Sequence, residues 1–139
     1  MKLNKSIENS DIEALLNDLS EDNSIENYRK LYETLADRKV YMPLNENSLP
    51  TNTTITVNKS DQAKAKTVLF FNNKPCLVVT TSDNSPVIEE YYAIIYWIEA
   101  LEMVLRIDEL YGILIQGNTS WVAFDIERII YILQRYKMN

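Results

Sequence analysis

Histidine is missing from this sequence, cysteine occurs once and glycine twice. Each scarcity closes off a chemistry. Without histidine there is no Ser-His or Cys-His pair and no imidazole metal ligand, and a lone cysteine cannot build a zinc or iron–sulfur site. Two glycines cannot supply a glycine-rich phosphate loop, so nucleotide-binding fingerprints are absent. Basic residues are also outnumbered, with 14 Lys+Arg against 20 Asp+Glu and a net charge of −6. That balance works against nucleic-acid binding, which needs a basic face to neutralise phosphates. Long apolar runs are lacking too. The longest uncharged stretch, residues 110–124, is broken by Gln116, Gly117, Asn118, Thr119 and Ser120, and the most apolar one, residues 91–98, falls far short of the roughly 20 residues a membrane helix needs. The first ten residues carry lysines but no apolar core of a secretory signal. The expectation is a soluble cytoplasmic domain with no cofactor, no metal, no membrane and no nucleic acid among its partners.

What is present is a globular balance: 139 residues, 46% hydrophobic and 24% charged, the length of one domain. Ser10-Asp11 can cap a first helix through Ile12, Leu15, Leu16 and Leu19. Ser24 or Asn23 can cap a second, whose apolar face is Ile25, Tyr28, Leu31, Tyr32 and Leu35, with Arg38-Lys39 at its end suiting the helix dipole. Val40-Tyr41-Met42 reads as a short extended stretch ending at Pro43, and Asn45 to Thr53 as loop. Thr54 to Val57 reads as an edge strand. Thr67 to Phe71 and Cys76 to Thr81 are β-rich and flank Asn72-Asn73-Lys74-Pro75, a hairpin turn. Cys76, beside Leu77, Val78 and Val79, reads as a buried structural thiol.

Residues 87–110 are the hardest to divide. A strand over Tyr91–Tyr96 followed by a helix from about Trp97 to Tyr111 is one reading, and a single long helix from Pro86 is the other. Gly112 is placed to stop that helix. Ile113–Gln116 and Trp121–Phe124 read as strands around a Gly117–Ser120 turn, and Asp125 caps a last helix with Ile126, Ile129, Ile130 and Leu133 on one face. The chain is therefore expected to be α+β: one domain over residues 1–139, with a short mixed or antiparallel sheet of about four to six strands and N-terminal, central and C-terminal helices packed on it.

Three strings, and the helix from Asp125 onward that resembles the family's closing helix, carry a family resemblance. Leu31-Tyr32-Glu33-Thr34-Leu35 through Val40-Tyr41-Met42-Pro43, then Phe70-Phe71-Asn72-Asn73-Lys74-Pro75-Cys76-Leu77-Val78-Val79-Thr80-Thr81-Ser82, then Gly112 through Ser120 resemble the motifs of the SseB N-terminal domain family of bacterial proteins. Thr80 stands where that family's "FTS" has Phe, and Gln116-Gly117 stand where it has Asn-Pro. The resemblance covers residues 25–137 and leaves 1–22 as an N-terminal helical extension. It implies a compact α+β fold without known catalytic residues, of a kind also met among small proteins encoded beside bacterial toxins.

Charge placement is the sharpest feature of the sequence itself. Residues 84–127 hold eight acids and a single base, Arg106, for a net −7. Glu89 and Glu90 precede Tyr91, Tyr92, Tyr96 and Trp97, while Glu99 and Glu102 share a helix face and Asp108 and Glu109 follow. Carboxylates around exposed aromatic rings make a docking surface: rings supply buried hot spots, and charge speeds encounter with a basic partner. The plainer alternative is a solvated acidic face over core aromatics. The paired carboxylates show no convergence toward acid–base or Mg²⁺ chemistry, and Lys59, Lys64, Lys66 and Lys74 beside Phe70-Phe71 read as ordinary surface. The expectation is a non-enzymatic immunity protein that occludes the active site of a cognate toxin domain, a basic nuclease being one such partner. Its binding residues would be Glu89, Glu90, Tyr92, Glu99, Glu102, Asp108 and Glu109. The alternative is an SseB-like secretion-associated or regulatory scaffold, with a homodimer open in either case.

Overall fold

A computed structural model describes residues 9–44, 65–88 and 91–136. Among them the elements run α1 (Ser10–Glu21), α2 (Ile25–Leu35), β1 (Lys39–Leu44), β2 (Thr67–Phe70), β3 (Lys74–Thr80), β4 (Tyr91–Tyr96), α3 (Trp97–Arg106), β5 (Gly112–Gln116), β6 (Trp121–Asp125) and α4 (Ile126–Tyr136). The expected strand at Thr54–Val57, along with Glu89 and Glu90, lies outside the described residues.

The strands form one open mixed sheet in the order β4-β1-β3-β5-β6, with β2 also paired to β3. Only β3 and β5 run parallel. Leu77 meets both Thr67 of β2 and Ile113 of β5, so β2 and β5 occupy opposite edges of β3, and β1 takes the β2 side at Thr80. Period-two alternation then sorts the side chains. Val40, Met42, Leu77, Val79, Ala93, Ile95, Ile113, Ile115, Val122 and Phe124 share one face and one core. Every helix packs on that face: Ile12 and Leu16 of α1, Leu31 and Leu35 of α2, Leu101 and Val104 of α3, and Ile129 and Ile132 of α4 join the same cluster. The opposite face carries Tyr41, Cys76, Val78, Tyr92, Leu114 and Trp121, and no described helix covers it.

The stretch from residue 91 to 106 is strand then helix. The β-branched and aromatic run Tyr91–Tyr96 pairs along its whole length with β1, and the helix begins at once with Trp97, which is fully buried. Several local expectations are corrected. Helix α3 ends at Arg106 because Ile107 turns extended, so Gly112 does not stop it. Instead Gly112 opens β5 where a Cβ would sit 2.5 Å from the Phe124 carbonyl oxygen, and close strand approach is what requires it. The first helix is entered from Asn9 rather than capped by Ser10-Asp11: the Asp11 carboxylate accepts its neighbour Ile12's N–H at 2.9 Å and otherwise pairs with Arg38. Helix α2 is capped by Ser24, whose hydroxyl accepts the Asn27 N–H at 3.2 Å, but it ends before Arg38-Lys39. Ile25, counted on its apolar face, is 87% exposed. The hairpin turn is Phe71-Asn72-Asn73, all with positive φ, while Lys74 and Pro75 already belong to β3.

Pro43 falls inside β1 rather than ending it. Its carbonyl accepts the Lys66 N–H at 3.0 Å, on the side away from β4. A strand residue's N and C=O point the same way, so the missing N–H costs the β1–β4 ladder nothing. The sequence extension α1 is tied tightly to the rest. Glu13 accepts the Asn118 N–H at 2.9 Å and the Thr81 hydroxyl, Asn17 accepts the hydroxyls of Thr119 and Ser120 at 2.8 and 2.6 Å, and Asp11 pairs with Arg38. With Ile12, Leu16 and Leu19 buried, this helix is a structural part of the core.

Candidate functional site

The described residues among those singled out in the sequence fall into three groups, on β4, on α3 and beyond its end. The strand places Tyr92 on the face away from the helices, where its ring meets Tyr41 edge-on at 5.1 Å. Burial and the charge of Asp83 hold the Tyr92 phenol above its ordinary pKa. Glu99 and Glu102 lie on α3, across the sheet from Tyr92. Glu99 is exposed and does a local job: its carboxylate accepts the Tyr96 N–H at 3.0 Å and so ends the strand and starts the helix. Glu102 is half-buried and engaged with neighbours. Asp108 and Glu109 are exposed beyond the helix's far end, about 15 Å from its start at 1.5 Å per residue. The structure thus brings Glu99 and Glu102 together and separates them from Tyr92 and from Asp108-Glu109. Among the described residues no group of His, Cys, Asp and Glu is arranged to hold a metal ion.

A second surface was not anticipated. Helices α2 and α4 and the end of β6 enclose a groove of about 620 Å³. Its walls are Tyr28 and Tyr32 from α2 and Arg128, Tyr131 and Tyr136 from α4, with Asp125 at one end and Ile25 standing at the rim. Asp125 accepts the Arg128 N–H at 2.9 Å, capping α4 and setting its first turn against α2. The Arg128 guanidinium donates to the Tyr32 hydroxyl at 2.5 Å and lies 5.5 Å over the Tyr28 ring. Buried Phe124 backs these rings from the core, edge-on to Tyr32 at 5.8 Å and to Tyr28 at 6.4 Å, and Tyr131 and Tyr136 flank Tyr32 at 6.2 and 6.1 Å. Burial raises the Tyr32 phenol above its ordinary range, against the pull of Arg128. The rings and guanidinium are therefore held in place before anything binds.

The sequence signal for this groove was faint. Tyr28 and Tyr32 sit at core spacing on their helix and read as apolar-face residues, and Arg128 lies 96 positions from Tyr32. Tyrosine in place of aliphatic residues on the facing stripes of both amphipathic helices was the available clue, since its hydroxyl needs a wet or bonded end. Cys76, by contrast, is where the sequence put it: fully buried, its thiol pushed up in pKa by burial. No described helix is long and apolar enough to cross a membrane. Comparison with protein-family models, with curated proteins and with solved structures finds no match for this chain.

Proposed function

We propose that this chain is a non-enzymatic binding protein of the bacterial cytoplasm that neutralises a cognate toxin domain by covering its active site. The observation that supports the reading is the groove between α2 and α4. Tyrosine and arginine are the residue types that dominate interface hot spots, and here they line a concave, preorganised surface on rigid helices. Preorganisation matters because an interface loses affinity for every rotamer-rich side chain it must order, and Tyr32, Tyr28 and Arg128 are already held by one another. The acids of the α3 side add long-range attraction for a basic partner, such as a nuclease domain. The resemblance to the SseB N-terminal domain family belongs to the same proposal, as the source of the link to toxin-encoding loci.

The test is co-expression. A gene encoding a large toxin beside this one would be cloned for its C-terminal domain and expressed with and without this chain. Growth rescue and a stable complex are expected, and Tyr28→Ala with Arg128→Ala should weaken the complex at least about tenfold while the protein stays folded. Full binding by that double variant would remove the groove from the interface. Self-association of the chain with no effect on any neighbouring toxin would favour a scaffold role instead.

A further inference from the structure

The strand β4 lies at the end of the sheet, and its hydrogen-bonding parity can be read directly. Trp97 donates its N–H to the Arg38 carbonyl at 2.8 Å, so residue 97 faces β1, and by alternation so do residues 95, 93 and 91. Tyr92, Ile94 and Tyr96 therefore aim their main-chain groups away from β1. Pro43 and Tyr41 confirm the parity from the other strand, because they sit opposite Tyr92 and Ile94 and bond toward β2 and β3. One outward group is answered: the Tyr96 N–H is taken by the Glu99 carboxylate. Among the described residues nothing answers the outward groups of Tyr92 and Ile94.

Among the described residues this edge has none of the usual protections. Tyr91-Tyr92-Ala93-Ile94-Ile95-Tyr96 contains no charge, no proline and no glycine, and it pairs without a bulge. Natural edge strands of that length are normally blunted by one of these devices, because an open ladder recruits another strand. The charge that meets an outward main-chain group of this edge is the Glu99 carboxylate, which accepts the Tyr96 N–H and is exposed to solvent, while Lys39 lies 5.1 Å over the Tyr96 ring and Asp83 acts on the Tyr92 phenol. We infer that β4 receives an extended segment of a partner protein as an added strand, and that this segment carries a lysine or arginine where it meets Glu99. Main-chain bonds to Tyr92 and Ile94 would supply the pairing, and the rings of Tyr92 and Tyr96 would flank its side chains. Charge selects this occupant over a second copy, since each copy brings a net −6 and the same carboxylate. The inference rests on the protein-binding reading but uses a different surface from the groove.

The experiment uses the full chain and a synthetic strand, acetyl-Lys-Tyr-Thr-Val-Thr-Tyr-Lys-amide, beside the same peptide with glutamate at both ends. Amide exchange is followed by NMR, and affinity by fluorescence anisotropy at low salt. Without peptide, the Tyr92 and Ile94 amides should exchange fast while those of Ala93 and Ile95 are protected. The lysine-ended peptide should protect Tyr92 and Ile94, and it should bind at least about tenfold tighter than the glutamate-ended one. Ile94→Pro removes an outward donor while sparing the β1 ladder, and it should abolish the peptide's binding. If that variant unfolds, the exchange data on the unaltered chain decide alone. Equal binding of both peptides, or protection confined to α2 and α4, would overturn the inference. So would concentration-dependent protection of Tyr92 and Ile94 without peptide, which would make the occupant a second copy. A failed peptide with intact toxin neutralisation would discard the strand docking and leave the groove standing.

Discussion

The groove and the β4 edge are opposite solutions to recognition. In the groove, polar groups are satisfied internally: Arg128 on Tyr32 and Tyr28, Asp125 on the start of α4, rings edge-on around Phe124. A partner there gains mainly from burying fixed aromatic area. Along β4, Tyr92 and Ile94 hold main-chain groups that no described residue answers, so a partner gains by completing a ladder. The difference lies in where the free energy comes from. A side-chain surface is specific through shape, whereas a strand edge is permissive in sequence and needs a charge, here Glu99, to choose its partner.

The largest test of their independence is Phe124→Ala. Phe124 is 2% exposed, backs Tyr28 and Tyr32 of the groove and meets Trp97 at 6.1 Å, so its truncation should cost about 3–5 kcal/mol. Denaturant unfolding measures the cost. In the folded fraction the groove should lose its ligand affinity, while the Tyr92 and Ile94 amides should exchange as before. Faster exchange throughout β4 would show that Trp97 transmits the damage and that the two regions act as one.

How far each region was readable follows from the range of its interactions. The β4–α3 boundary was visible as an alternative because strand propensity is local: six β-branched, aromatic or small residues precede a helix-spaced run. Its decision depended on β1, which lies some fifty residues earlier and pairs with all of β4. Glu99 stands out in the sequence for its charge, and its place on the edge emerges only once the Tyr96 N–H is known to point outward. The parallel pairing of β3 with β5 was not legible, since nothing in Leu77–Thr80 or Ile113–Gln116 names its partner. The groove was hidden for the same reason: α2 and α4 sit at opposite ends of the chain and meet over Phe124. The strings resembling the SseB family fall on the end of α2 and on β1, β3 and β5; they include one groove residue, Tyr32, and none of the β4 edge.

A smaller effect separates charge from structure at the edge. Glu99→Gln keeps an acceptor for the Tyr96 N–H and removes the charge, so stability should change by less than about 0.5 kcal/mol. Lysine at this position would lose the acceptor as well and confuse the two roles. Association with a basic partner should slow at low salt and depend less on ionic strength, as stopped-flow mixing would show. An unchanged on-rate would mean that Glu99 ends the strand and does nothing more.

The smallest expected effect compares one phenol from each region in alkali. Burial raises the pKa of Tyr32 in the groove and of Tyr92 beside the edge. A group whose folded pKa is raised contributes stability that is complete below its unfolded value, about 10 for tyrosine, and that is lost as pH rises through the folded value. Each phenol should therefore lower stability on the alkaline side, and replacing it with phenylalanine should flatten that limb. The two replacements differ in their neutral-pH effect. Tyr32→Phe also deprives Arg128 of its acceptor and should cost about 0.5–1.5 kcal/mol at pH 7, whereas Tyr92→Phe removes no hydroxyl hydrogen bond among the described residues. Thermal unfolding of both variants between pH 7 and pH 11 measures the contrast. A Tyr32→Phe protein as stable as its parent at pH 7, with its alkaline limb unflattened, would mean that the groove's hydroxyl is not held, and with it would go the preorganisation that sets the groove apart from the edge.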